Sequence, residues 1–188
     1  MLIAFFASCV SQQAGAQPSL APPPEAKTCE GCHGPGGNSA TPYIPSLAGQ
    51  PRVYLENTLV LTREGLRGNP VMQGLMKGKK DAEIVAVAGY FASLPVRPPA
   101  TTPPDKALQK RGRELVAKLH CASCHDKTFR GREQMPRLAA QREEFLDARM
   151  TALRDKPPPG TDTIMNATVR GLTDEDIKAL AHFMAHLR

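Results

Sequence analysis

The sequence predicts an all-α protein built from two tandem domains that a proline-rich linker joins. Three observations predict this class: amphipathic helical periodicity recurs along the chain, the second half repeats the first, and residues 95–104 between the copies contain five prolines. A chain of 188 residues is long enough for one or two small domains but not for a large core. We expect one domain over 17–94, a stiff extended linker over 95–104 and a second domain over 105–188.

The chain begins with a segment, residues 1–16, that is typical of an export signal. Residues 1–10 form an apolar run too short to span a bilayer, and small residues at Ala14 and Ala16 follow it, which predicts a signal peptide cleaved near Ala16. The alternative is lipoprotein-type processing at Cys9, which would anchor the protein to a membrane by a lipid. Either route predicts a periplasmic protein, and the second predicts one tethered to the membrane.

Composition and charge limit the classes of function that the chain can serve. The formal net charge is +6, but basic and acidic residues alternate, which indicates a mixed solvated surface and no nucleic-acid partner. With 41% hydrophobic and 22% charged residues, the chain is neither disordered nor a polytopic membrane protein. It has no Trp, and two of its nine aromatic residues lie in the leader. Something other than side chains is therefore expected to fill part of the interior.

Four of the five cysteines form two identical short motifs. Cys29, Cys32 and His33 form one C-x-x-C-H sequence, and Cys121, Cys124 and His125 form the other, which is the attachment pattern for haem c. Two thiols three positions apart on a helical turn can each form a thioether with a haem vinyl group, and the adjacent His then presents a ring nitrogen to the iron. A thioredoxin-like redox pair or zinc-binding knuckles would explain the cysteines but not the His after both pairs. We therefore expect two covalently bound haem c groups.

An internal repeat extends well beyond the two motifs. Cys121 follows Cys29 by 92 residues, and the sequence of 44–55 matches that of 135–146, which lies 91 residues further on. Pro45 aligns with Pro136, and Gln50 aligns with Gln141. The segments 80–94 and 173–187 also match, so each copy is expected to end in a similar helix.

The repeat also selects a second iron ligand in each copy. Thioether sulfur is a soft ligand that favours ferrous iron, so the methionines are the candidates for the sixth coordination position. Met72 precedes Asp81 by nine residues, and Met165 precedes the equivalent Asp174 by nine. Met76 has no counterpart in the second copy, and Met150 lies in a predicted helix without a repeat partner. We expect axial ligation by His33 with Met72 and by His125 with Met165.

Helical patterns flank each motif. Residues 106–120 carry apolar side chains at helical spacing, which predicts a helix running into the second C-x-x-C-H motif, and Gly112 lies where it would allow close contact with the last helix. The last helix of the second copy is expected after Thr173, where acidic residues fill the first turn. His182 and His186 lie four residues apart on that helix; they are either a metal-binding pair or a partly solvated helix face, and we expect the latter.

These features resemble the two-haem class I cytochromes c, most closely the cytochrome c4 type. The resemblance rests on the two C-x-x-C-H motifs, on GPGGNS at 34–39, PSLAGQ at 45–50 and NPVM at 69–72, and on the final helices. It implies two cytochrome c-like haem domains packed face to face, with a carbonyl near Pro45 or Pro136 accepting the ring N–H of the axial His. Residues 18–26 depart from the family pattern, since four prolines there prevent the usual first helix and would leave the first haem more exposed.

Iron with both axial positions filled predicts an electron carrier rather than an enzyme, and no pair of side chains suited to acid, base or nucleophilic catalysis stands out. The resemblance implies transfer from a quinol-oxidising complex to a terminal haem-copper oxidase. The alternative is that the chain is the cytochrome subunit of an exported dehydrogenase of the thiosulfate or alcohol type, or is itself such an enzyme. That alternative would require a different or displaced ligand at one haem.

Overall fold

A computed structural model describes residues 21–67, 69–99 and 103–188. The expected export signal at 1–16, including Cys9, lies outside these residues. Within them the chain is helical, and its β-structure is a single isolated bridge between Arg132 and Met135. No helix in this part of the chain is both long enough and apolar enough to cross a membrane. The predicted all-α class is confirmed.

The described residues of the first half form four α-helices and one short 3-10 turn at Pro35–Gly37. The helices are α1 (Ala26–His33), α2 (Arg52–Arg63), α3 (Pro70–Met76) and α4 (Asp81–Ser93). Helix α2 packs against both α3 and α4. Helix α1 begins only after Pro22 to Pro24, so its eight residues carry the motif cysteines themselves. Over the described residues 21–25, no helix precedes α1.

The second half contains five α-helices, with a long one ahead of the motif. They are α5 (Lys106–Lys118), α6 (Ala122–His125), α7 (Glu143–Asp155), α8 (Thr163–Val169) and α9 (Asp174–Ala185). Helix α9 packs against α5 and α7. Its N-cap is Thr173, whose hydroxyl accepts the Asp176 N–H, while the Asp176 carboxylate accepts the Thr173 N–H. The predicted start of the last helix is confirmed.

Gly112 allows α5 and α9 to cross closely. A Cβ atom at this position would lie 2.4 Å from the carbonyl oxygen of Ala179 and 2.5 Å from Cβ of Phe183. Both distances are shorter than van der Waals contact permits, so only glycine fits between the two helices. The role expected for Gly112 is confirmed.

The segment after α4 is held to the first half over its described part. Residues 95–99 form no helix or strand. The side chain of Asn38 accepts the Arg97 N–H at 2.7 Å and donates to the Pro95 carbonyl at 3.1 Å. The start of the linker is thus fixed by hydrogen bonds as well as by its prolines. The domain limits given above remain predictions.

Candidate haem site

One large cavity runs between the two halves. Its volume is about 1190 Å³, above the roughly 300–1,000 Å³ typical of a pocket for one small ligand. All eight residues predicted from the sequence line it: Cys29, Cys32, His33, Met72, Cys121, Cys124, His125 and Met165. The structure therefore brings both predicted ligand sets to a single cavity.

The two motif histidines are buried and held in the same way. His33 is 6% exposed and its Nδ1 donates to the carbonyl of Pro45 at 2.7 Å. His125 is 4% exposed and its Nδ1 donates to the carbonyl of Pro136 at 2.9 Å. Since a carbonyl can only accept, the proton of each ring is on Nδ1 and the lone pair is on Nε2. The carbonyl partners implied by the resemblance are present in both halves.

Burial favours the neutral form of both imidazoles. Desolvation lowers the pKa of His33 and of His125, although the hydrogen bonds to the carbonyls of Pro45 and Pro136 act in the opposite direction. In His125 the Nε2 atom is buried without a hydrogen-bond partner among the described residues. A neutral ring with a buried, unpartnered lone pair is the state required of a metal ligand, so this residue fits a haem iron.

The motif cysteines do not have the properties of a redox pair. Cys29 and Cys121 are half-buried, while Cys32 and Cys124 are exposed, and the structure pairs none of the four in a disulfide. Desolvation raises the pKa of Cys29 and Cys121. A reactive redox pair has a lowered thiol pKa, so the raised pKa of Cys29 and Cys121 disfavours the alternative of a thioredoxin-like pair.

Met72 and Met165 occupy equivalent places in two short helices. The side chain of Asn69 caps α3 and accepts the Met72 N–H at 3.4 Å, and the side chain of Asp162 caps α8 and accepts the Met165 N–H at 3.3 Å. Both methionines are half-buried. Met76, Met135, Met150 and Met184 line the same cavity, so lining alone does not identify the ligands.

The prediction for His182 is wrong. Its side chain is only 6% exposed, Nδ1 donates to the Glu143 carboxylate at 3.1 Å, and Nε2 accepts the Asp105 N–H at 2.9 Å. The ligand atoms of Glu143, His182 and His186 lie within 4.8 Å of one another. However, a cation bound at Nδ1 would require the ring proton to be on Nε2. That proton would face the Asp105 N–H, and the hydrogen bond that Nε2 accepts from it would be lost. The geometry therefore favours a structural bond among α5, α7 and α9 over a metal site.

Sequence reasoning missed the polar residues between the halves. Gln50, Gln141 and Arg137 are all buried, and they join the loop at 45–50 to the loop at 136–141. The guanidinium of Arg137 donates to the carbonyls of Ala48 and Ala139, and burial lowers its pKa to about 10. Among the described residues it forms no ion pair. The repeat had aligned the two glutamines, which was the available signal for a shared role.

Comparisons with known proteins agree with this site. The family model for cytochrome c matches residues 25–95 and 109–188, and each match contains one C-x-x-C-H motif. A thiosulfate dehydrogenase electron acceptor from Thiomonas intermedia is 34% identical over 176 residues, which cover 88% of this chain and 81% of that protein.

Two solved structures share the fold. Reduced cytochrome c4 from Pseudomonas stutzeri superposes with a TM-score of 0.78 at 28% identity, covering 87% of this chain and 95% of that one. A thiosulfate dehydrogenase from Marichromatium purpuratum superposes with a TM-score of 0.71 at 26% identity, covering 84% of this chain but 36% of that one. Two covalently bound haem c groups, one at each motif, account for the cavity and for the few aromatic residues. The chain therefore belongs to the cytochrome c family, as a dihaem electron carrier of the cytochrome c4 type.

Proposed function

We propose that each half holds its haem iron between a histidine and a methionine, His33 with Met72 and His125 with Met165. The observation that carries this proposal is the state of the two histidines, which are buried, neutral and oriented by a proline carbonyl at Nδ1. This leaves Nε2 of each ring as the donor to the metal. When bound, the haem iron supplies a one-electron couple.

The methionines complete the proposed ligand sets. Met72 and Met165 share the same position relative to their helix caps, and each lines the cavity that its histidine lines. Thioether sulfur stabilises ferrous iron and raises the reduction potential. A site with both axial positions filled by side chains has no open position for a substrate, which supports a carrier over an enzyme.

The ligand assignment is tested by replacing each methionine in the holoprotein. We expect Met72→His and Met165→His each to lower one of the two reduction potentials, by on the order of 0.1 V within the roughly 0.8 V that axial ligands span. Each variant should also lose part of the weak absorption band of methionine bound to ferric haem. Met76→Leu and Met150→Leu are the matched controls, since both residues line the same cavity.

The control variants should leave both potentials and the full methionine band in place. If Met72→His or Met165→His left both potentials unchanged, that ligand would be misassigned. Loss of the band in Met76→Leu would assign the first iron to Met76.

For the physiological route, we propose a periplasmic carrier that takes electrons from a quinol-oxidising complex and delivers them to a terminal haem-copper oxidase. The likeness to cytochrome c4 over nearly the whole described chain supports this route, as does the export signal predicted at 1–16. Membrane association through a lipid on Cys9 remains a prediction.

A second candidate donor is a thiosulfate dehydrogenase. It is favoured by the 34% identity to a protein described as the electron acceptor of that enzyme, and by the likeness of this chain to about a third of a thiosulfate dehydrogenase chain. In this role the protein would accept electrons from the enzyme and would not oxidise thiosulfate itself.

The two donors are distinguished by rapid-mixing reduction of the oxidised holoprotein. One reaction contains a purified thiosulfate dehydrogenase with thiosulfate, the second a quinol-oxidising complex with quinol, and the third thiosulfate alone. Faster reduction in the second reaction supports the respiratory route, and faster reduction in the first supports the thiosulfate route. Rapid reduction by thiosulfate alone would contradict the assignment as a carrier.

A further inference from the structure

Two glutamines at equivalent positions of the repeat make reciprocal contacts between the halves. Gln141 in the second half binds Ser46 in the first, where its Oε1 accepts the Ser46 N–H at 2.7 Å and its Nε2 donates to the Ser46 carbonyl at 3.0 Å. Gln50 in the first half binds Arg137 in the second in the same way, at 2.9 and 3.1 Å. Gln141 is 1% exposed and Gln50 is 4% exposed, so water does not compete for these hydrogen bonds.

The peptide group that Gln141 binds also holds the histidine of the first half. The carbonyl of Pro45 and the N–H of Ser46 belong to one planar peptide unit. That carbonyl accepts the His33 Nδ1–H at 2.7 Å, while the N–H donates to Gln141 at 2.7 Å. One peptide unit therefore links a proposed iron ligand to a side chain of the opposite half.

The same arrangement recurs in the other direction. The Pro136 carbonyl accepts the His125 Nδ1–H at 2.9 Å, and the N–H of the same peptide unit, from Arg137, donates to Gln50 at 2.9 Å. Two hydrogen-bonded relays thus cross the interface in opposite directions. Each runs from the histidine of one half to the glutamine of the other.

We propose that Gln141 and Gln50 are positioning residues that lower the reduction potential of the haem in the opposite half. This inference rests on the proposed ligation by His33 and His125. An acceptor on the peptide N–H polarises the group, so its carbonyl becomes a stronger acceptor for the ring N–H. A histidine that donates more strongly at Nδ1 is a more basic ligand at Nε2, and such a ligand stabilises ferric iron relative to ferrous iron.

A role in holding the halves together would have different consequences. Loosening the interface would admit water to both haems and move both potentials together. The relay instead predicts that the effect of each glutamine crosses the interface and acts on one haem. Comparing the shifts of the two reduction potentials within one variant therefore distinguishes the relay from a role in holding the halves together.

The test uses Gln141→Leu and Gln50→Leu in the full-length holoprotein, with each potential assigned to its haem by NMR. We expect Gln141→Leu to raise the potential of the first haem more than that of the second, and Gln50→Leu to do the reverse. In the reduced protein, the ring N–H resonance of His33 should move in Gln141→Leu and that of His125 should not. Equal shifts of both potentials in either variant, or a larger shift in the glutamine's own half, would overturn the proposal.

Gln141→Glu provides a second test that preserves the fold at low pH. A protonated glutamic acid offers Ser46 one acceptor and one donor, as the amide does, so the first potential should stay near that of the unmodified protein. Ionisation at higher pH removes the donor and adds negative charge, so the first potential should fall with pH more steeply than the second. Equal slopes for the two haems would contradict the relay.

Failure of the ligand assignment would look different from failure of the relay. The reduced, unmodified protein should show two histidine spin systems with large ring-current shifts, because axial imidazoles lie over the haem plane. Their absence would contradict the ligation by His33 and His125. Their presence together with unselective potential shifts in the leucine variants would contradict the relay alone.

Discussion

The two halves repeat one sequence pattern but differ in how much of each interior is filled by side chains. Among the described residues, 16 hydrophobic side chains are buried in the second half and seven in the first. The 13-residue α5 packs on α9 in the second half, whereas α1 in the first half has eight residues and also carries the cysteines. The first half must therefore depend more on its haem for stability.

The halves also differ where they meet. Ser46 and Arg137 occupy equivalent positions in the repeat and bind the opposite glutamine in the same way. Only Arg137 adds a buried cation, which bonds to carbonyls of both halves through Ala48 and Ala139. Ser46 and Arg137 thus share their backbone contacts with the opposite glutamine and differ by one buried charge.

Loss of one haem is expected to reveal the largest difference in stability between the two halves. In Cys29→Ala/Cys32→Ala, helices α1 to α4 should lose amide protection, because a core of seven buried hydrophobic side chains cannot support them without the macrocycle. In the variant Cys121→Ala/Cys124→Ala, part of the amide protection should remain in helices α5, α7 and α9. Hydrogen exchange measured by mass spectrometry checks both variants, and equal loss in the two halves would contradict the unequal cores.

A side chain placed at Gly112, where α5 and α9 are in close contact, is expected to have the next largest effect on stability. Gly112→Val places a side chain against the Ala179 backbone and should destabilise the second half by about 3 kcal/mol or more, at the upper end of overpacking effects. Denaturant unfolding followed by circular dichroism measures the change. Gly171→Ala is the control, because a Cβ atom there meets nothing within 4 Å. Equal stability of the two variants would show that α5 and α9 do not cross closely.

Removal of the buried His182 side chain is expected to have a smaller effect on stability, confined to the second half. His182→Leu leaves the Glu143 carboxylate and the Asp105 N–H without their partner, which should cost about 1–3 kcal/mol. The equivalent position in the first half is Gly89, which has no such bond to lose. Thermal unfolding with hydrogen exchange should show α5 and α9 weakened and α4 unchanged; weakening of both halves would contradict a local role.

The smallest effect on stability is expected at a half-buried salt bridge of the first half. Lys79 binds both Glu25 and Glu83, which links the residue before α1 to the first turn of α4. Bonds from the Lys80 backbone and from Lys79 lower the Glu83 pKa to about 2. Its contribution to stability is therefore present above about pH 4.5 and is lost as the pH falls toward 2.

Glu83→Gln should remove that pH-dependent part while changing the melting temperature at pH 7 less than His182→Leu does. Melting temperatures measured between pH 2 and pH 7 check this expectation. A variant that kept the full acid sensitivity of the parent would assign it to other carboxylates.

The sequence predicts contacts between residues that are close together along the chain, and it misses contacts between residues that are far apart. The helix starts at Asp81 and Asp174 depend on nearby residues, and the sequence predicts them. The carbonyl partners of His33 and His125 are implied by the family resemblance. The burial of His182 depends on Glu143, which is 39 positions away, and that of Gln141 on Ser46, which is 95 positions away. Polar contacts over such distances leave no periodic pattern along the chain, so only the folded structure reveals them.

The central claim is that each half encloses one haem c with histidine and methionine as axial ligands. It is tested most directly by a redox titration of the purified full-length protein, followed by visible spectroscopy and combined with an alkaline pyridine assay of haem content. We predict two haems c per chain, two one-electron steps and a methionine band for both ferric haems. A single haem per chain, high-spin iron, or a methionine band from only one haem would contradict the account.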